Sequence, residues 1–221
     1  MFAGVPRTQA METRQLAVFG ATGRTGRRVV EMALARGHAV TAFVRDPGRL
    51  PAVESLRAVV GDVTTDEGAV AEAVRGSDAV ISALGRGRSF KAERLIERAS
   101  GVLVGALEAE GVRRLIFTSA FGLGATRQGL PLLSRLFTRT LLREIYADKE
   151  AGEAIISSSM LDWTFVHPTG LTEGPLTGTY RVGNHLPMRG VPTISRADVA
   201  HFLLDQVDDD TYLRSTALIS S

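Results

Sequence analysis

Gln15–Gly26 reads QLAVFGATGRTG, and the order of its residues decides the fold. The apolar run Gln15–Gly20 ends in a glycine-rich turn, after which Arg24–Arg36 carries Val29, Val30, Ala33 and Leu34 on one helical face. Strand, tight turn and helix follow one another without a break. Gly37-His38 stops the helix, and Ala39–Val44 (AVTAFV) is apolar enough for a strand buried on both faces, as parallel strands are. Asp46-Pro47-Gly48 then breaks the chain. The alternation continues with a strand at Leu56–Val60, a helix at Asp66–Arg75, a strand at Ala79–Ala83, a helix at about Phe90–Glu110 and a strand at Arg114–Thr118. Such alternation predicts an α/β fold: a Rossmann-type doubly wound, mostly parallel sheet with helices on both faces.

Beyond Ser119 the rhythm changes. Phe121–Gln128 is glycine-rich, and Leu130–Lys149 is a long apolar and arginine-bearing stretch that reads as core or as a lid over a substrate pocket. A helix at Glu150–Ser158 and a strand at Trp163–Val166, ending at His167-Pro168, come next. Thr169–Pro192 is rich in Gly, Pro and Thr and reads as excursion loops with a short strand at Tyr180–Val182. Ser195–Gln206 is a final helix with Ser195 as its N-cap, and Leu213–Ile219 a last edge strand. One domain over residues 15–221 is expected, after a loose arm at 1–14, with substrate-side loops at about 121–149 and 169–192.

The turn Gly20-Ala21-Thr22-Gly23-Arg24-Thr25-Gly26 sits where a dinucleotide fingerprint belongs, after the first strand and opening the first helix. Gly20 permits the turn, Gly23 lets the backbone approach a pyrophosphate, and Gly26 lets the helix pack on the sheet. The free N–H groups and dipole at the helix start favour the phosphates. About 20 residues on, a cofactor lacking a 2′-phosphate meets a carboxylate at the end of the second strand. Arg45 stands there instead, with Asp46 suited to the turn before Pro47. Arg45, Arg24 and Arg49 are candidates to hold a 2′-phosphate, so NADP(H) is the expected cofactor. The third strand ends in Gly61-Asp62-Val63 and the fourth in Ser82-Ala83-Leu84-Gly85. In such a sheet the ligand lies at the carboxyl ends of the strands, which assigns Asp62 and Val63 to adenine and Ala83, Leu84 and Gly85 to the nicotinamide side.

The chain has 221 residues and no cysteine, which removes disulfides, thiolate nucleophiles and cysteine zinc sites, and metal binding is not expected. Its 26 Lys+Arg against 24 Asp+Glu give a net charge of +2. Nearly all the positive charge is arginine, which fits either phosphate recognition or the habit of a GC-rich genome. The arginines are interleaved with Glu and Asp, so no nucleic-acid stripe forms. No run approaches the ~18–20 apolar residues of a membrane span, and MFAGVPRTQAMETRQ lacks the apolar core of a secretion signal. A cytoplasmic protein acting on a small molecule is expected, and oligomeric state is not readable.

GATGRTG, VRDPGRL, VVGDV, Thr118-Ser119-Ala120-Phe121, LDWTFVHP and PLTGTY, in that order, resemble the atypical short-chain dehydrogenase/reductases of the NmrA-like and biliverdin reductase B/flavin reductase-like branch. The resemblance covers about residues 15–220. It implies a Rossmann fold, NADPH binding and, where active, hydride transfer to flavins, quinones or tetrapyrroles. Ser119 matches the family's active-site serine, and Pro168 with Thr169 the loop contacting the nicotinamide amide. The wider superfamily carries Tyr and Lys four apart on a helix, but Tyr146 and Lys149 are three apart, which at ~100° per residue turns the Tyr off the required face. Lys149, followed by Glu153, is either a ribose or substrate ligand or a surface lysine. Ser119 is either catalytic or a turn cap, and His167 reads as a supporting residue rather than an acid. Related biliverdin-reductase-like members carry a histidine two residues beyond Pro168, where Gly170 stands here, which counts against a tetrapyrrole substrate. The sequence therefore supports an NADPH-dependent reductase of an aromatic or quinonoid molecule. A non-catalytic NADP(H)-binding regulator and a cofactor-bound isomerase or dehydratase stand beside it.

Overall fold

The computed structural model describes residues 12–85, 94–124, 126, 143–188 and 190–221. Residues 1–11, the start of the helix expected near Phe90 and the apolar stretch 130–142 lie outside the described residues. β1 (Gln15–Phe19) leads through the glycine turn into α1 (Arg24–Ala35), and β2 (Ala39–Val44), β3 (Leu56–Val60), α2 (Glu67–Val74), β4 (Ala79–Ser82), α3 (Leu95–Ala109) and β5 (Arg114–Thr118) follow. The second half holds α4 (Arg143–Ser157), β6 (Asp162–Pro168), β7 (Gly170–Thr172), β8 (Arg181–Gly183), β9 (Thr193–Ser195), α5 (Arg196–Asp205) and β10 (Ser215–Ser220).

Among the described residues the main sheet runs β3-β2-β1-β4-β5-β6-β10-β8. All neighbours are parallel except β8, which runs antiparallel to β10. The 3-2-1-4-5-6 core is the doubly wound Rossmann order, and its direction reverses between β1 and β4, which opens a crevice at their carboxyl ends. The expected edge strand is corrected here: β10 lies one place in from the edge, and β8 covers it. β7 and β9 form a separate parallel pair that no periodicity in these three-residue runs reveals.

Alternation along β1 sends side chains to opposite faces. Leu16 and Val18 pack under α1 and α5 with Val29, Val30, Ala33, Val199 and Leu203. Ala17 and Phe19 pack with Val70 of α2, Leu103 and Leu107 of α3 and Ile156 of α4. Burial on both faces explains the continuous apolar runs of the strands. Ser195 caps α5 as expected, its hydroxyl accepting from Asp198 N at 2.9 Å. Arg14, assigned to the loose arm, is fastened to the body: its N–H donates to His38 Nδ1 at 3.2 Å and its Nε to Asp208 Oδ1 at 3.0 Å.

α4 begins earlier than expected, so Tyr146, Lys149 and Glu153 share one helix. Two devices seat it on α3. Asp148 caps α3 from outside, its carboxylate accepting from Glu97 N at 3.0 Å and Ile96 N at 3.2 Å, where Arg94 offers no side-chain cap. Gly152 lets the helices meet, since a Cβ there stands 2.8 Å from Ser100 Oγ and 2.9 Å from Ile96 Cγ2. Gly152→Ala gains about 1 kcal/mol of helix propensity but overpacks the contact at a cost of about 1–3 kcal/mol. A net fall in melting temperature is expected, by about 2–4 °C per kcal/mol for a chain of this size. Differential scanning calorimetry checks it, and an unchanged or raised melting temperature contradicts the close packing.

Candidate active site

The glycine turn is built by backbone against backbone. Gly20 has φ +78°, and a Cβ there stands 2.6 Å from Ala83 O at the end of β4. A Cβ on Gly26 stands 2.1 Å from Gly20 O, so only glycine fits. Gly23 differs: it is exposed, its φ of −73° suits any residue, and a Cβ there meets only Gly20 O at 3.1 Å. It is the N-cap of α1 and has no side chain to accept from the first N–H groups. This end suits an anion, and Gly23, Arg24 and Thr25 supply the backbone that could hold a dinucleotide's phosphates.

The other expected cofactor residues divide. Arg45 and Arg49 are exposed beyond β2, and Asp46 does turn work, accepting from Gly48 N at 3.0 Å. Asp62 accepts from Thr64 Oγ1 at 2.6 Å and Thr64 N at 2.8 Å. Those hydrogen bonds, with the charge of Arg45, hold its carboxyl below the usual range. Val63, expected beside adenine, turns its side chain into the core with Val70. Thr169 is 3% exposed, its hydroxyl donating to Ser220 Oγ at 3.3 Å. Pro168 is buried at the end of β6, Leu84 leans on the core, and Gly85 is exposed beyond β4. Thr22 and Thr25 line the turn half-buried, and Arg24 pairs with Glu173 at 3.1 Å.

Ser119 stands just past β5, two strands from β1, so about 10 Å from the glycine turn by strand spacing. Its hydroxyl donates to Glu153 Oε1. The same oxygen lies 3.0 Å from His167 Nε2, while His167 Nδ1 lies 3.0 Å from Thr126 Oγ1. Thr126 Oγ1 in turn accepts from Gly122 N at 2.9 Å and reaches Leu123 O at 2.8 Å. His167 is 1% exposed at the end of β6, so a single carboxylate oxygen faces both the Ser119 hydroxyl and a buried imidazole. Tyr146 is engaged elsewhere: its hydroxyl donates to Phe121 O at 3.0 Å, and burial pushes its ionisation up. Lys149 is half-buried on α4, one turn before Glu153. Ser119 thus meets Glu153 and His167, while Tyr146 is held by the Phe121 carbonyl. Sequence reasoning noticed both partners separately, and Thr126 gave no signal.

Residues 20–210 match the NAD(P)H-binding family. The chain belongs to that family. An uncharacterized chloroplastic protein of Arabidopsis thaliana is 34% identical over 182 residues, 76% of this chain and 63% of that protein's length. Among solved structures, a short-chain dehydrogenase/reductase from Veillonella parvula in complex with NADP superposes with a TM-score of 0.80 at 18% identity, covering 95% of each chain. The anaerobillin reductase ChuY of Escherichia coli O157:H7 gives 0.76 at 24% identity, over 93% of this chain and 96% of that one. These structural likenesses establish the Rossmann fold, and the family match makes the chain an NAD(P)H-binding one, as the resemblance in the sequence implies. Among the described residues no helix is long and apolar enough to cross a membrane.

Proposed function

We propose that the chain is an NADPH-dependent reductase that passes hydride to a conjugated small molecule such as a flavin or a quinone. The observation that carries this reading is Ser119 at the end of β5, backed by Glu153 and His167 through a single carboxylate oxygen. A bound nicotinamide supplies the hydride. The chain's own residues supply the proton. The proton on Ser119 Oγ passes to the substrate heteroatom as the proton on His167 Nε2 crosses to Glu153 Oε1 and on from it to Oγ, so Glu153 carries the proton only in passing. The His–Glu pair ends one proton poorer, and solvent restores it. Ser119 is the catalytic residue; Glu153 and His167 act through it. Flavins and quinones stabilise the reduced anion themselves, so a hydroxyl donor suffices without a tyrosine in its usual place.

NADPH is favoured over NADH by Arg45 and Arg49, standing where a carboxylate otherwise meets the ribose hydroxyls. Arg45→Ala is expected to weaken NADPH and spare NADH. A charge-assisted hydrogen bond contributes about 1.5–3 kcal/mol, which is about 10–100-fold in affinity. The low end applies, because Arg45 is exposed and its charge reaches Asp62. Dissociation constants of both cofactors for both proteins check this, and equal losses remove Arg45 from the role. The function itself is tested by NADPH oxidation across a panel of flavins and quinones. Turnover is expected; tight NADPH binding with none across the panel assigns the chain to cofactor sensing instead.

A further inference from the structure

Glu173 and Arg196 leave the small β7–β9 ribbon side by side. Thr172 of β7 lies opposite Ser195 of β9, and the next residue on each strand meets across the end, Arg196 Nη1 standing 2.8 Å from Glu173 Oε1. α1 brings two more cations to the same carboxylate. Arg24 Nη1 reaches Oε1 at 3.1 Å, and Arg28 Nη2 reaches Oε2 at 3.1 Å. Arg24 and Arg28 lie one turn apart, and Arg28 Nη1 also donates to the Arg24 carbonyl at 3.1 Å.

Three guanidinium groups therefore share one carboxylate, and among the described residues no other acid pairs with any of them. Burial lowers the Arg196 pKa, Glu173 opposes that, and Arg24 and Arg28 lower it further, as a cluster short of negative charge requires. The cluster begins on the first residue of α1, beside the uncapped N–H groups that suit a phosphate. α5 starts at Arg196, so the positive ends of two helices add to the arginines. The occupant is also easily released: the Glu173 side chain is 48% exposed, while that of Arg196 is 12% exposed and fixed in place.

We propose that Arg24, Arg28 and Arg196 form a diphosphate subsite of the dinucleotide groove, with Glu173 as an internal stand-in that leaves when the diphosphate arrives. A diphosphate carries more charge than one carboxylate and presents several acceptors to planar guanidinium forks, so it satisfies the cluster better than Glu173 does. The segment after β7 is thereby tied over the glycine turn in the free protein and released by the cofactor. The inference rests on dinucleotide binding alone, so a chain that binds NADPH and reduces nothing leaves it standing.

The test is isothermal calorimetry of the full chain with NADPH, NADH and ADP-ribose, comparing wild type, Glu173→Gln and Arg196→Gln. Removing the competing charge in Glu173→Gln is expected to tighten all three ligands by about 3–10-fold, and Arg196→Gln to weaken all three by about 10-fold, charge-assisted bonds being the strong ones. Thermal melts confirm that Glu173→Gln, an exposed change, remains folded. Weaker binding in Glu173→Gln overturns the proposal, because Glu173 then serves as a strap the bound state needs. Unchanged binding of all three ligands overturns it too, and tightening of NADPH alone moves the subsite to the 2′-phosphate and overturns the diphosphate assignment.

Discussion

Gly23→Val is expected to cost about a hundredfold or more in NADPH affinity while the protein stays folded. The three glycines of the turn are not equivalent. Gly20 and Gly26 are held by backbone at 2.6 and 2.1 Å from a hypothetical Cβ, so substitution there breaks the turn itself. Gly23 is exposed, extended at φ −73° and ψ 166°, and its Cβ meets one carbonyl at 3.1 Å. A branched side chain is tolerated by that backbone but stands in front of the first N–H groups of α1. Losing two charge-assisted hydrogen bonds of about 1.5–3 kcal/mol each amounts to at least about a hundredfold. Calorimetry with NADPH beside a thermal melt separates binding from folding, and unaltered affinity in a folded variant means that the loop is only a turn.

Ser119→Ala and Glu153→Gln are each expected to slow reduction by about 10²-fold, within the range of positioned acid–base groups, with NADPH affinity unchanged. Ser119→Ala removes the donor, and Glu153→Gln keeps the shape but cannot pass a proton from His167 to Ser119. Tyr146→Phe removes a hydroxyl held by the Phe121 carbonyl and is expected to retain most of the rate. Single-turnover oxidation of bound NADPH reads all three. A hundredfold loss in Tyr146→Phe with a normal rate in Glu153→Gln reverses the roles.

The doubly wound, mostly parallel sheet and the glycine turn are legible because both rest on local patterns: apolar runs too continuous for a one-sided sheet, and glycines at fixed offsets after β1. The place of Arg45, the residue just past β2, is legible for the same reason. The site's other half is not. Ser119, Glu153 and His167 come from β5, α4 and β6, and their meeting depends on Gly152 and Asp148 seating α4 on α3, a tertiary contact with no periodic trace. The packing of the Val63 side chain against α2 is likewise a tertiary contact that its position after β3 does not announce. Glu173 and Arg196 meet only because β7 and β9 pair, and strands of three residues are too short to announce themselves.

The most direct measurement is single-turnover reduction of a flavin or quinone by NADPH carrying deuterium at either of the two C4 positions. A fixed groove holding the nicotinamide with one face toward Ser119 predicts that one epimer slows the reaction and the other does not. Full NADPH binding with no oxidation by any acceptor, or oxidation at the same rate with both labelled epimers and unlabelled NADPH, contradicts hydride transfer in this site.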